Sequence, residues 1–220
     1  MTINLVKGQK INLKKETGSA LTKFCAGANW GVLPNGDSVD LDLYVATFDA
    51  NKNVVEIIGW GEKWESCTGA LKHSGDDTRG DEGGDDGLDN EIVTIDLSKL
   101  QANVEKLVVF LTSFRGHDFA VIPHAAVRIY EGTNERVTNV IANYAIGKEP
   151  AFLGHVVMVL GMFYKHNGEW KFNEDKSKLM TKYDNVSIWE EFEIIKLRND
   201  QLWYNKIEGS SLKEYQLESK

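Results

Sequence analysis

Val39-Asp40-Leu41-Asp42-Leu43-Tyr44-Val45 alternates apolar and acidic residues through its first five positions. Successive side chains of a strand point to opposite faces, so Val39, Leu41, Leu43 and Val45 share one side, predicted to be the core side. Asp40 and Asp42 share the other. Turn signals bracket this run, Pro34-Asn35-Gly36-Asp37 before it and Asn51-Lys52-Asn53 after it.

Outward from it, short β-type runs recur along the chain: Ile3–Val6, Lys10–Lys14, Leu21–Ala26, Ser38–Phe48, Val54–Trp60, Ala70–His73, Ile92–Leu97, Leu107–Phe114, Ala125–Tyr130, Val137–Ala142, Val156–Tyr164 and Trp170–Phe172. His166-Asn167-Gly168-Glu169 sets the favoured Asn-Gly pair between the last two, which predicts a hairpin. Ser98–Lys106 reads as a short helical or turn connection. Strands at this spacing, with few helical patterns, predict a mainly β chain folded as an antiparallel β-sandwich. Only the C-terminal part departs. Ile188, Trp189, Phe192, Ile195, Leu202 and Trp203 predict an amphipathic helix within about Asn185–Ile207. The chain therefore divides into a sandwich domain at 1–172 and a partly helical extension at 173–220, packed on that domain.

At 220 residues with 42% hydrophobic and 26% charged residues, the composition is that of an ordinary globular chain. No apolar run reaches the ~18 residues a membrane span needs. Met1–Lys7 lacks the basic and apolar regions of a secretory signal, so the expected compartment is the cytoplasm. Cys25 and Cys67 read as buried thiols. A net charge of −8 argues against a nucleic-acid partner, which would call for a basic block.

That charge is concentrated. Between His73 and Glu91 stand Asp76, Asp77, Asp81, Glu82, Asp85, Asp86, Asp89 and Glu91 against Arg79 alone, so this stretch carries −7 of the −8. Like charges at this density repel, and a bound cation would neutralise them. Gly75, Gly80, Gly83, Gly84 and Gly87 supply a backbone able to turn its carbonyls inward, and calcium takes six to eight such oxygens. Asp40 and Asp42 could complete a site if the loop folded back over them. Magnesium, which keeps its waters, fits this density of carboxylates less well.

Familiar calcium motifs fail on position. Starting an EF-hand at Asp81 puts Asp86 where glycine belongs and Ile92 where glutamate belongs. Phosphate loops, GxSxG and HExxH are absent, and the five histidines show no tight ligand spacing. Six tryptophans leave open a carbohydrate platform, and the abundance of carboxylates leaves open a metal-assisted hydrolase.

The order of several short motifs resembles the TerD-like family of bacterial tellurium-resistance and general stress proteins. These are Leu5-Val-Lys-Gly-Gln-Lys-Ile-Asn-Leu13, Gly27-Ala-Asn-Trp30, Asp40-Leu-Asp42, His73-Ser-Gly-Asp76-Asp77 with Gly80, Asp89-Asn-Glu91, Ala125-Ala-Val-Arg-Ile129 and Leu160-Gly-Met-Phe-Tyr-Lys-His-Asn-Gly-Glu-Trp-Lys-Phe172. The resemblance implies a sandwich that binds about two Ca²⁺ at one end through the DLD aspartates and the acidic loop, without enzymatic activity. It carries ligand roles to Asp40, Asp42, Asp76, Asp77, Gly80 and Glu91. The family's compact loop ending is stretched here into Gly84–Glu91, which makes Asp85, Asp86 and Asp89 further candidates. Asp81 and Glu82 are expected at the solvated loop tip. Protein partners at the inner face of the membrane are implied as well. The rival expectation is a calcium-dependent carbohydrate- or ligand-binding module.

Overall fold

The computed structural model describes residues 3–4, 10–12, 20–146, 152–173 and 178–180. Its strands, in chain order, are β1 (Ile3–Asn4), β2 (Lys10–Asn12), β3 (Lys23–Trp30), β4 (Leu41–Phe48), β5 (Val54–Ile58), β6 (Leu71–His73), β7 (Glu91–Asp96), β8 (Lys106–Ser113), β9 (Ala125–Thr133), β10 (Arg136–Ala145), β11 (Val157–His166), β12 (Glu169–Asn173) and β13 (Lys178–Met180). Short 3-10 turns at Leu97–Lys99 and Phe119–Val121 are the helical elements among the described residues. The amphipathic segment expected within 185–207 lies outside those residues.

Two sheets face each other. The first runs β1-β10-β9-β3-β7-β6 and the second β2-β12-β11-β8-β4-β5, with β13 paired to β11 beyond the end of β12. Pairing is antiparallel except for the two-residue contact of β1 with β10. The predicted mainly β, antiparallel sandwich is the observed fold. The hairpin between β11 and β12 is also as expected: Asn167 and Gly168 have φ of 52° and 77°, the left-handed pair that a tight two-residue turn needs.

Between the sheets lie Val39, Leu41, Leu43 and Val45, packed with Leu107, Val109 and Leu111 of β8 and with Ala26, Ala28, Val93 and Ile129 of the facing sheet. Register explains the match, since Leu43 pairs with Leu111 and Val45 with Val109. Burying each such side chain contributes about 1.5–3 kcal/mol. On β11 the alternation slips by one residue at a bulge between Val159 and Gly161. Met158 and Leu160 face the core before it and Phe163 after it.

The second face of β4 is covered as well as the first: Tyr44, Ala46 and Phe48 are as buried as the core and cluster with Val108, Phe110 and Val157, while Asp40 and Asp42 are buried too. Two expectations need correction. Cys67 is exposed where a buried thiol was expected, because it follows the end of β5 in a surface turn; Cys25 is buried, and both are free. Asp81 is not at the solvated tip. Its N–H donates to Trp30 O, and its carboxylate accepts from Asn29 and Asn90.

Candidate metal centre

Asp40, just ahead of β4, and Asp42 within it project from one strand face, two residues apart, as the alternation requires. The acidic loop between β6 and β7 brings Asp76 to them. One ligand oxygen from each of the three lies within 4.8 Å of the other two. Asp40 and Asp42 are 3% and 1% exposed, while Asp76 is open to solvent. The result is a mouth with two fixed carboxylates at its base and one at its rim. Thr112 of β8, opposite Asp42 in the register, donates its hydroxyl to Asp42 Oδ2 at 3.2 Å. Arg115 Nε stands 3.9 Å from Asp40 Oδ2, on a side chain that is 43% exposed.

The donor set fits a hard cation. Three carboxylates in one place offer only oxygen, with neither thiolate nor imidazole among them, which selects calcium or magnesium over zinc. A cation held there would replace the water lost by the two buried carboxylates and offset their mutual repulsion.

The remaining acidic residues have other positions. Asp77 Oδ1 accepts from the N–H groups of Arg79 and Gly80, and Oδ2 from Asn90 Nδ2, so this residue shapes the turn. Gly80 sits there with φ of 68°, packed so closely on Trp30 that a Cβ would lie 2.5 Å from the indole. Asp85 and Asp86 are exposed and accept from Gly87 and Leu88 N–H two residues on. Asp89 is buried against Arg128 of β9, 2.8 Å from its Nε, in space left by the missing side chain of Gly27. Burial raises its pKa, and Arg128 counteracts that rise.

Glu91 is wholly buried and ties the loop to the second sheet. Its Oε2 accepts from Leu43 N–H at 2.7 Å and its Oε1 from Asp77 N–H at 3.2 Å. Because β5 pairs with β4 only from Val45 onward, the Leu43 backbone has an open side at this edge. His73 fills the rest of it: its Nε2 is 3.1 Å from Leu43 O, and its Nδ1 accepts from Gly75 N–H, which leaves Nε2 as the donor to Leu43 O. Desolvation pushes the Glu91 carboxyl up to about 6, against the lowering influence of His73 and the Leu43 N–H.

Of the nine candidates, the structure therefore brings together Asp40, Asp42 and Asp76, and it places Asp77, Gly80, Asp85, Asp86, Asp89 and Glu91 in the frame around them. Sequence reasoning missed Asn90, which accepts from Trp30 N–H and donates to Asp77 and Asp81, and so joins both arms of the loop to β3. Its position between Asp89 and Glu91 was the available signal. Tryptophans make no platform at the mouth among the described residues. Trp30 is core, Trp60 packs edge-on against Phe114, and exposed Trp64 lies against His73.

A sandwich whose glycine-rich acidic loop folds back onto paired strand aspartates defines a class of β-sandwich proteins with an all-carboxylate mouth. The chain belongs to the TerD family: the TerD domain model matches residues 1–177. Tellurium resistance protein TerZ of Serratia marcescens is 33% identical over 180 residues, covering 77% of this chain and 86% of that protein. General stress protein 16U of Bacillus subtilis (strain 168) is 33% identical over 182 residues, with 79% and 89% covered. A crystal structure of a homologue of telluride resistance protein (TerD) from Streptomyces coelicolor A3(2) superposes with a TM-score of 0.58 at 16% identity, over 73% of this chain and 90% of that one, a likeness of fold.

Proposed function

We propose that this chain is a calcium-binding, non-enzymatic protein of the stress response, acting as a binding or scaffold component in the cytoplasm, with protein partners at the inner face of the membrane. The convergence of Asp40, Asp42 and Asp76 within 4.8 Å, two of them buried, carries the metal part of the reading. Calcium would be held by these three carboxylates, with loop oxygens and water completing the shell. Its binding would pin the acidic loop to β4. The names of the relatives support the stress and tellurium-resistance context.

Geometry supports one ion directly, and the second rests on family resemblance. Calorimetric titration of calcium, then magnesium, into chelator-treated protein tests both points. The expected result is micromolar or weaker calcium binding at one to two equivalents, with magnesium weaker. No heat change and no shift of melting temperature with calcium would end this reading.

A further inference from the structure

A cation stands beside the three mouth carboxylates. β8 ends at Ser113, and the chain turns through Ser113-Phe114-Arg115-Gly116, with Gly116 N–H donating to Ser113 O at 3.2 Å and Gly116 at φ of 74°. Phe114 N–H donates to Asp40 O at 2.9 Å, which ties this turn to the backbone of the first mouth residue. Arg115 therefore leaves the chain next to Asp40. Its Nη1 donates to Ser38 Oγ at 2.6 Å and to Ser38 O at 3.1 Å, while its Nε stands 3.9 Å from Asp40 Oδ2. That separation is longer than the 2.7–2.9 Å of a charge-assisted hydrogen bond, so Arg115 faces Asp40 as a neighbouring charge and takes its direct bonds from Ser38.

We propose that Arg115 sets the affinity and the charge selectivity of the mouth by opposing the cation that binds there, a role that rests on the calcium reading of Asp40, Asp42 and Asp76. Two effects act in the same direction. In the metal-free protein the guanidinium offsets part of the repulsion among the carboxylates and so favours the empty mouth. When an ion binds, the same charge repels it. Calcium lies about 2.3–2.6 Å from its oxygen ligands, so an ion on Asp40 Oδ2 would be within about 6 Å of Nε, inside the screening length of about 8 Å at physiological ionic strength. The fork of the guanidinium makes this possible, since Nη1 holds Ser38 and leaves Nε turned to Asp40. Repulsion between charges grows with their product, and a trivalent ion is therefore penalised more than a divalent one.

The test titrates calcium and, separately, terbium(III), a hard trivalent ion of similar size, by calorimetry into chelator-treated wild type, Arg115→Gln and Arg115→Lys at low and high salt. Arg115→Gln should bind calcium about tenfold more tightly than wild type and terbium about thirtyfold more tightly, because the logarithm of the gain scales with ionic charge. Both gains should shrink as salt is added. Arg115→Lys, which keeps the charge, should stay near wild type, and Arg115→Met, uncharged and unable to donate, should repeat the gains of Arg115→Gln. Equal calcium affinity in wild type and Arg115→Gln would overturn the proposal, as would weaker binding in that variant. A gain of the same size for both ions, or one shared by Arg115→Lys, would assign the effect to the shape of the turn and would overturn it as well. The underlying reading fails differently: neither ion would then give heat with wild type or with any Arg115 variant, and the role of Arg115 would fall with it.

Discussion

Two sets of buried carboxylates sit at the same end of the sandwich, and they are compensated in different ways. Asp89 meets Arg128 at 2.8 Å, and Glu91 accepts two backbone N–H groups beside His73. Asp40 and Asp42 instead converge with a third carboxylate, Asp76, and the arginine of that region stands 3.9 Å from Asp40. Removing charge from water costs several kcal/mol per ion unless an opposite charge or donors replace the hydration. The first set meets a cation or backbone donors at close range, whereas the second gathers three carboxylates in one place, beside Thr112 and Arg115. The first set frames the loop, and the second is the proposed metal site.

Breaking the frame should have the largest effect. Arg128→Ala leaves Asp89 buried without its cation, a change that costs about 3–5 kcal/mol, or a fall in melting temperature on the order of 10 °C for a domain of this size. The loss should have a pH signature. Burial already raises the Asp89 pKa and Arg128 restrains it, so in the variant the folded-state pKa rises further. A raised carboxyl favours folding below its unfolded pKa and disfavours it above the folded one. The variant should therefore recover toward wild type as pH is lowered, and a deficit independent of pH would show that lost packing, not charge, is responsible.

Next in size is calcium itself. Binding to the native state alone stabilises by about 2.7 kcal/mol per site at a hundredfold excess over Kd, so millimolar calcium should raise the melting temperature several degrees above its value in chelator. Asp42→Asn should abolish most of that rise. In chelator the same variant should be as stable as wild type or more so, because one buried like charge is gone. Equal calcium responses in the two proteins would remove Asp42 from the site.

The alternation at Val39–Val45 was enough to find the core face and to put Asp40 and Asp42 side by side, because a strand's two-residue period is a local property. Burial of the opposite face was not legible, since it depends on what packs there, and no local pattern distinguishes a covered face from a wet one when its residues are Tyr44, Ala46 and Phe48. The loop was legible as a charge anomaly, but not the division of labour within it. Asp76 and Asp77 are neighbours of the same charge, yet one reaches the mouth while the other binds the amides of its own turn. That choice is made by loop dihedrals and by Asn90, fourteen residues after Asp76. Asp81 was misplaced for the same reason: its partners, Asn29 and Trp30, are some fifty positions earlier.

A smaller effect tests whether Glu91 is a frame carboxylate. Its folded-state pKa of about 6 lies above the ordinary 4.5, so its contribution to stability is fully present below pH 4.5 and is lost as pH rises through 6. Glu91→Gln cannot titrate. In chelator, the stability of wild type relative to Glu91→Gln should fall by about 2 kcal/mol between pH 4.5 and 7. A difference that stays level across that window would mean that the carboxylate is as well solvated by its N–H donors as it would be in water.

The smallest effect expected separates the loop's exposed acids from one another. Asp76 and Asp86 are both open to solvent, but Asp76 shares the mouth with Asp40 and Asp42, while Asp86 binds only the Leu88 N–H in the described contacts. Asp86→Ala should change stability by less than about 0.5 kcal/mol, as surface substitutions away from special features do. Its influence on calcium would be a through-solvent attraction, which falls off over about 8 Å at physiological ionic strength. The affinity change should therefore be about twofold at low salt and vanish at high salt. Asp76→Ala removes an oxygen that would touch the ion in the proposed site, so its loss should be at least tenfold and persist when salt is added. Matching, salt-sensitive losses in the two variants would mean that calcium is held by the loop's overall charge, and the distinction between frame and site would then fail at its most exposed members.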